Sequence, residues 1–168
     1  MRWGLSLKRG YKRSRVHMDN QEKKMTEADL VVFTNHRLGE IEVRRDVLLN
    51  FPVGLLGFSH LRQFALVPHK GGDSAFMWLV PLDDENLAFV VVNPDLFFDG
   101  YLPQPTPDQL AILQSEPDEP LGVLVLVSFH DGKPTANLAA PLILDLNHRN
   151  GIQAVLLDKN LETRKQLF

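Results

Sequence analysis

Cysteine is absent from this 168-residue chain. Disulfide stapling is therefore excluded, zinc would have to use histidine and carboxylate alone, and a reducing compartment fits. Long apolar runs are missing too. The most hydrophobic stretch, Leu121 to Phe129, is interrupted by Gly122 and Ser128 and falls far short of the ~20 residues a membrane helix needs. No membrane anchor is expected. Catalytic signatures are equally scarce. Gly54-Leu55-Leu56-Gly57 is too short and too apolar for a phosphate loop, and Ser59, Ser74, Ser115 and Ser128 stand in no G-x-S-x-G elbow. The six histidines (His17, His36, His60, His69, His130 and His148) form no His-x-His or H-E-x-x-H ligand pattern. No metal, no cofactor and no catalytic residue is expected.

Charge is present but unevenly placed. Residues 1–28 hold eight Lys or Arg against three acids, whereas residues 29–168 hold ten basic against eighteen acidic side chains. The first segment thus carries +5 and the rest −8, for the net charge of −3. An acidic body repels phosphate backbones, so direct nucleic-acid binding is not expected, while a basic partner would be attracted. Residues 1–28 have no apolar core of signal-peptide length. Their Arg-rich opening mimics a transit peptide or a nucleic-acid arm. The plainer expectation is a disordered basic extension, or an upstream start with Met18 or Met25 as the first residue used, since low hydrophobicity without period predicts disorder. The folded domain is expected over 29–168.

From Leu30 onward the pattern is mostly of period two or continuously apolar. Val31-Val32-Phe33 and residues 40–43 flank Gly39 as paired strands, with Ile41 and Val43 on one face and Glu40 and Glu42 on the other. In residues 48–58, Pro52, Gly54 and Gly57 forbid a regular element and predict a packed irregular crossing. Strands are expected over 63–68, 75–81, 87–92, 121–129, 139–146 and 152–157, with Asn150-Gly151 as a hairpin turn because both tolerate positive φ. One helix is written clearly. Thr106 caps, Pro107 suits the first helical position and Gln109 closes a capping box, putting Leu110 and Leu113 on one face against the sheet. The expected fold is mainly β, a small antiparallel barrel or sandwich of one domain with one or two short helices.

The candidate surface lies where the apolar strand 87–92 stops at Asn93-Pro94-Asp95. Proline donates no ladder hydrogen bond, so the strand must end there. Asp95 is expected to cap a helical turn carrying Phe97 and Phe98. Neighbours on a turn point about 100° apart, so the two rings cannot share one pocket. One anchors the turn and the other is left for helix 106–113 or a partner. An aromatic anchor ringed by acids suits a basic, apolar partner. Asp83, Asp84, Asn93, Asp95, Phe97 and Phe98 are the expected partner-binding residues, with Asn137 holding a neighbouring loop, equally readable as a buried amide that satisfies turn backbone. Asp83-Asp84-Glu85 also has the composition of a Mg²⁺ site, but a solvated hairpin tip explains it more cheaply. Two alternatives stay open: a ligand-binding barrel with Met77 and Trp78 in its pocket, and a hydrolase using His130 and Asp131, although Asp131-Gly132 reads better as a turn.

Several ordered segments resemble the FliW family of flagellar assembly factors: residues 39–43 (GEIEV), 51–58 (FPVGLLGF), 64–68 (FALVP), 86–98 (NLAFVVVNPDLFF), 123–127 (VLVLV), 135–145 (TANLAAPLILD) and 153–158 (QAVLLD). Val53 and Leu56 depart from the family's pattern in the Gly-Leu turn, as do Lys165-Gln166 near the end. The resemblance implies a cytoplasmic protein without catalysis. It implies that the protein binds the translational repressor CsrA, relieving repression of flagellin mRNA, and binds flagellin in alternation with it.

Overall fold

The alternation around Gly39 is realised as a hairpin, β1 (Leu30–Asn35) and β2 (Gly39–Arg44), paired from Leu30↔Arg44 to Asn35↔Gly39. In the computed structural model, which describes residues 26–69 and 72–168, this hairpin forms a two-stranded sheet of its own. Nearly all of the expected basic extension 1–28 lies outside the described residues. The other strands are β3 (Leu49–Asn50), β4 (Gln63–Pro68), β5 (Phe76–Pro81), β6 (Phe89–Val92), β7 (Leu121–His130), β8 (Lys133–Ala136), β9 (Leu142–Asp145), β10 (Asn150–Gln153) and β11 (Lys165–Gln166), with one α-helix among the described residues, α1 (Pro107–Leu113).

Seven of them close into a barrel, β7-β6-β5-β4-β3-β10-β9 and back to β7. The long strand β7 makes closure possible. Its first half, Leu121 to Leu124, pairs with β9, while Val127 to His130 on the same edge pair with β8. β8 and β11 therefore extend from the barrel as a flap. A barrel removes the exposed strand edges a sandwich would keep.

Period two then sorts the apolar side chains of the barrel strands into two sets. Phe89 and Val91 of β6, Leu124 and Leu126 of β7, and Leu142 and Leu144 of β9 join Phe51, Leu61, Phe64 and Leu79 in the interior. Val90 and Val92 point outward into a second cluster with Val125, Val127, Ala136, Leu138 and Leu167. Both faces of β6 are covered, which is why its sequence is continuously apolar. The crossing 48–58 is packed and irregular as expected: Phe51 and Phe64 meet edge to face at 5.0 Å, and Leu55 bridges to Phe58. α1 is built as its sequence dictates, with Thr106 accepting from the Gln109 amide at 3.3 Å and Gln109 Oε1 accepting from the Thr106 amide at 2.9 Å. Leu113 buries against Ile143, Ile152 and Ala154, while Leu110 stays half-buried.

Several expectations change. Asn150 and Gly151 are not a turn; they belong to β10, and the positive φ falls on Arg149 (57°). The turn 146–149 is instead organised by Asp145, whose Oδ1 accepts from the amides of Asn147 (2.8 Å) and His148 (3.1 Å). Asn150 closes the barrel. It pairs in parallel with Asn50, its Oδ1 accepts from Asn50 Nδ2 at 3.3 Å, and its Nδ2 donates to the Leu113 carbonyl at 2.9 Å. Gly151 is needed for space, since a Cβ there would stand 2.5 Å from the Phe51 ring. β10 stops at Gln153 rather than 157, and a two-residue strand, β11, pairs with β8 near the chain end.

Candidate functional site

At the exit of β6, Pro94 ends the ladder and the chain makes one 3₁₀ turn, Pro94–Leu96. The cap is Asn93, not Asp95: Asn93 Oδ1 accepts from the Asp95 amide at 3.0 Å. Asn93 is buried, whereas Asp95 and Leu96 are exposed. The turn aims both Phe97 and Phe98 at the second cluster, where each is half-buried. Phe97 lies among the rings of Phe98, Phe76 and Phe168 at 6.3, 6.4 and 6.5 Å. Neither ring belongs to the apolar cluster that α1 forms with β9 and β10.

Beyond these rings an open groove of about 780 Å³ runs between residues 97–104 on one wall and residues 156–161 on the other. Leu138 and Tyr101 line it, and the Tyr101 hydroxyl donates to the Leu138 carbonyl at 2.6 Å. Burial pushes the Tyr101 phenol far above its ordinary range, so it remains a neutral donor. Backbone bonds fix the groove's surroundings: Leu138 N–H donates to the Glu162 carbonyl and Leu156 N–H to that of Ala139, both at 2.9 Å. Asn137 Oδ1 accepts from the Ala140 amide at 3.2 Å, shaping the loop that carries Leu138. On the rim, Leu102 is 56 % and Leu157 is 93 % exposed, beside Asp99, Asp158 and Lys165.

Asp83 and Asp84 do not join this surface. They sit in the turn between β5 and β6, at the opposite end of β6 from Asn93. That turn holds the β1–β2 hairpin. Asn35 Nδ2 donates to the Leu87 carbonyl at 2.8 Å, and His36 reaches Glu85 (3.1 Å) and Asn86 (2.8 Å). Asp84 Oδ1 accepts from the Asn86 amide at 2.9 Å. The six residues read from sequence as one binding surface are thus divided between two ends of the barrel. Met77 packs against the interior cluster and Trp78 lies under the Arg37 guanidinium at 5.6 Å, so neither lines the groove. His130 and Asp131 are exposed, at the end of β7 and in the tight β7–β8 turn where Asp131 and Gly132 have φ of 49° and 77°.

One cluster escaped the sequence reading. Glu119, Asp145 and His148 place one ligand-type atom each within 4.8 Å of one another. The atoms that face one another are hydrogen-bonded within the chain. Asp145, fully buried, accepts from two backbone amides and from His148 Nδ1 (2.8 Å), and Glu119 accepts from Ser115 Oγ and the Glu116 amide, both at 3.0 Å. Burial by itself raises the Asp145 carboxyl, but the hydrogen bonds from His148, Ser115 and Asn147 outweigh it and hold the group below its ordinary value. Its carboxylate in turn raises His148. The arrangement is a clip between the loop after α1 and the β9–β10 turn. Its only sequence signal is an Asp and a His three residues apart in a turn.

The comparisons agree with this architecture. A family model described as FliW protein matches residues 32–167. The flagellar assembly factor FliW of Moorella thermoacetica is 38% identical over 138 residues, 79% of this chain and 85% of that protein. That of Natranaerobius thermophilus is 33% identical, covering 80% and 91%. A solved structure, the crystal structure of the flagellar assembly factor FliW, superposes with a TM-score of 0.75 at 27% identity, covering 82% of this chain and 97% of that one. The match in sequence and the match in fold cover the same body of the molecule, and the chain belongs to the FliW family of flagellar assembly factors.

Proposed function

We propose that this protein is a cytoplasmic, non-catalytic binding factor that antagonises the translational repressor CsrA and binds flagellin, exchanging one partner for the other. The observation that carries the reading is the sign of its surface. The body holds eighteen acidic against ten basic residues, and Asp83, Glu85, Asp95 and Asp99 are all exposed. Docked on a basic RNA-binding protein, such a body attracts the protein and repels its RNA without needing to fill the RNA site. Family membership supports the choice of partners. In this reading Asp83 and Asp84 contribute charge at the hairpin end, Asp95, Phe97 and Phe98 contribute at the groove end, and Asn93 and Asn137 hold the loops that present them. Mutually exclusive partners then make release of one the signal for capture of the other. Gel filtration of the purified protein with CsrA, followed by displacement of a labelled flagellin leader RNA, tests it. A complex and RNA release are expected, both reversed by added flagellin. Absence of complex and of release overturns the reading.

A further inference from the structure

The groove between residues 97–104 and 156–161 has a lining that a folded body would ordinarily cover. Leu157 extends almost its whole side chain into solvent and Leu102 more than half of its own, and both border the half-buried rings of Phe97 and Phe98. Exposed apolar groups gathered at one concavity mark an interaction site, whereas scattered ones need no explanation. Val53, for comparison, is exposed but lines no part of the groove.

The chemistry of the lining selects the occupant. Tyr101 directs its hydroxyl at the Leu138 carbonyl, so it offers the groove no free donor. The rim bears Asp99, Asp158 and Lys165, and the Lys165 ammonium is engaged by Glu162 at 2.7 Å. Two carboxylates and one lysine thus line the groove, and that lysine is already paired. An anionic ligand would be repelled and a small polar one would find few partners, whereas an apolar chain with a positive charge is matched at both points. The walls are tied by the backbone bonds from Leu138 and Leu156, so little ordering is needed on binding.

We infer that this groove docks an apolar protein segment bearing a basic side chain, its apolar residues against Phe97, Phe98, Leu102 and Leu157 and its charge between Asp99 and Asp158. The inference rests on the partner-binding reading above and assigns that binding to one surface. Titration calorimetry with purified CsrA and purified flagellin, each against wild type, Leu157→Asp, Asp158→Lys and Val53→Asp, tests it. Leu157→Asp should weaken at least one partner by roughly tenfold or more, because it sets a carboxylate against the apolar segment where a large exposed apolar side chain stood. Asp158→Lys should weaken the same partner less, with the loss diminished by added salt. Val53→Asp should bind like wild type. Because Leu157 is almost fully exposed, the unfolding midpoint should hold, which separates lost contact from lost fold. If Leu157→Asp weakens none of the partners that wild type binds, the groove assignment is overturned while the partner reading stands. If wild type binds neither but forms a concentration-dependent dimer that Leu157→Asp abolishes, the groove is a self-interface and the inference falls. If wild type binds neither and stays monomeric, both readings fall together.

Discussion

The two faces of β6 carry side chains of similar hydrophobicity to different ends. Inward, Val91 meets a cluster in which Phe51 and Phe64 are wholly buried and the ring of strands closes around them. Outward, Val92 meets a cluster whose cover is a short turn, two loops and the chain end, leaving Phe97 and Phe98 half-buried and Leu157 in solvent. The interior is covered on all sides because hydrogen bonding closes the barrel. The outer cluster depends on loops, and loops leave gaps. Stability should therefore reside mainly inside the barrel and recognition mainly outside it.

Substitutions should separate the two regions by size of effect. Phe51→Ala empties a site walled on every side and should cost about 4 kcal/mol of stability, measured by denaturant unfolding. A cost near that of an exposed residue would show that the interior collapses freely. Gly151→Ala places a methyl against the Phe51 ring and should cost about 2–3 kcal/mol by overpacking. Asp145→Ala leaves two turn amides without their acceptor and should cost about 2 kcal/mol.

The Asp145 clip also has a pH signature. Asp145 is depressed from its ordinary 3.8, so its contribution is present above that pH and lost as pH falls through the folded value. His148 is raised from 6.5, so its contribution is complete below that pH and lost as pH rises through the folded value. The gap in unfolding midpoint between wild type and Asp145→Ala should be widest near pH 5–6.5 and narrow on both sides. A gap constant from pH 4 to 9 would show that the His148 pair contributes nothing.

Phe98→Ala belongs to the outer cluster and should cost about 1–2 kcal/mol because the ring is only half-buried. It should also weaken partner binding. This modifies the expectation from sequence that one ring is left for helix 106–113 or a partner, since both rings pack on the outer cluster. A stability loss as large as that of Phe51→Ala would erase the distinction between the faces.

Much of the local structure was legible in the chain. The capping box at Thr106 and Gln109, the hairpin around Gly39, and strands β4 to β7 follow from spacing, because their causes lie within a few residues. Closure was not legible. Asn50 and Asn150 meet across one hundred residues of chain, and nothing in either neighbourhood names the other. The same limit misled the reading of Asn150-Gly151: local turn propensity yielded to a parallel pairing and to the space Phe51 occupies. The candidate surface divided for a related reason. Asp83 and Phe98 are fifteen positions apart in sequence, yet an extended strand between them carries them to opposite ends of the barrel.

The amino-acid order alone determined a β-rich, acidic body without thiols, its strand period and the capped helix α1, since each depends on composition or on contacts between near neighbours. Tertiary structure decided that the sheet closes as a barrel rather than packing as a sandwich, that His148 stands between Asp145 and Glu119, and that Leu102 and Leu157 flank one groove. Those outcomes depend on which distant segments pack together, and burial and hydrogen bonding select among the options that local spacing leaves open.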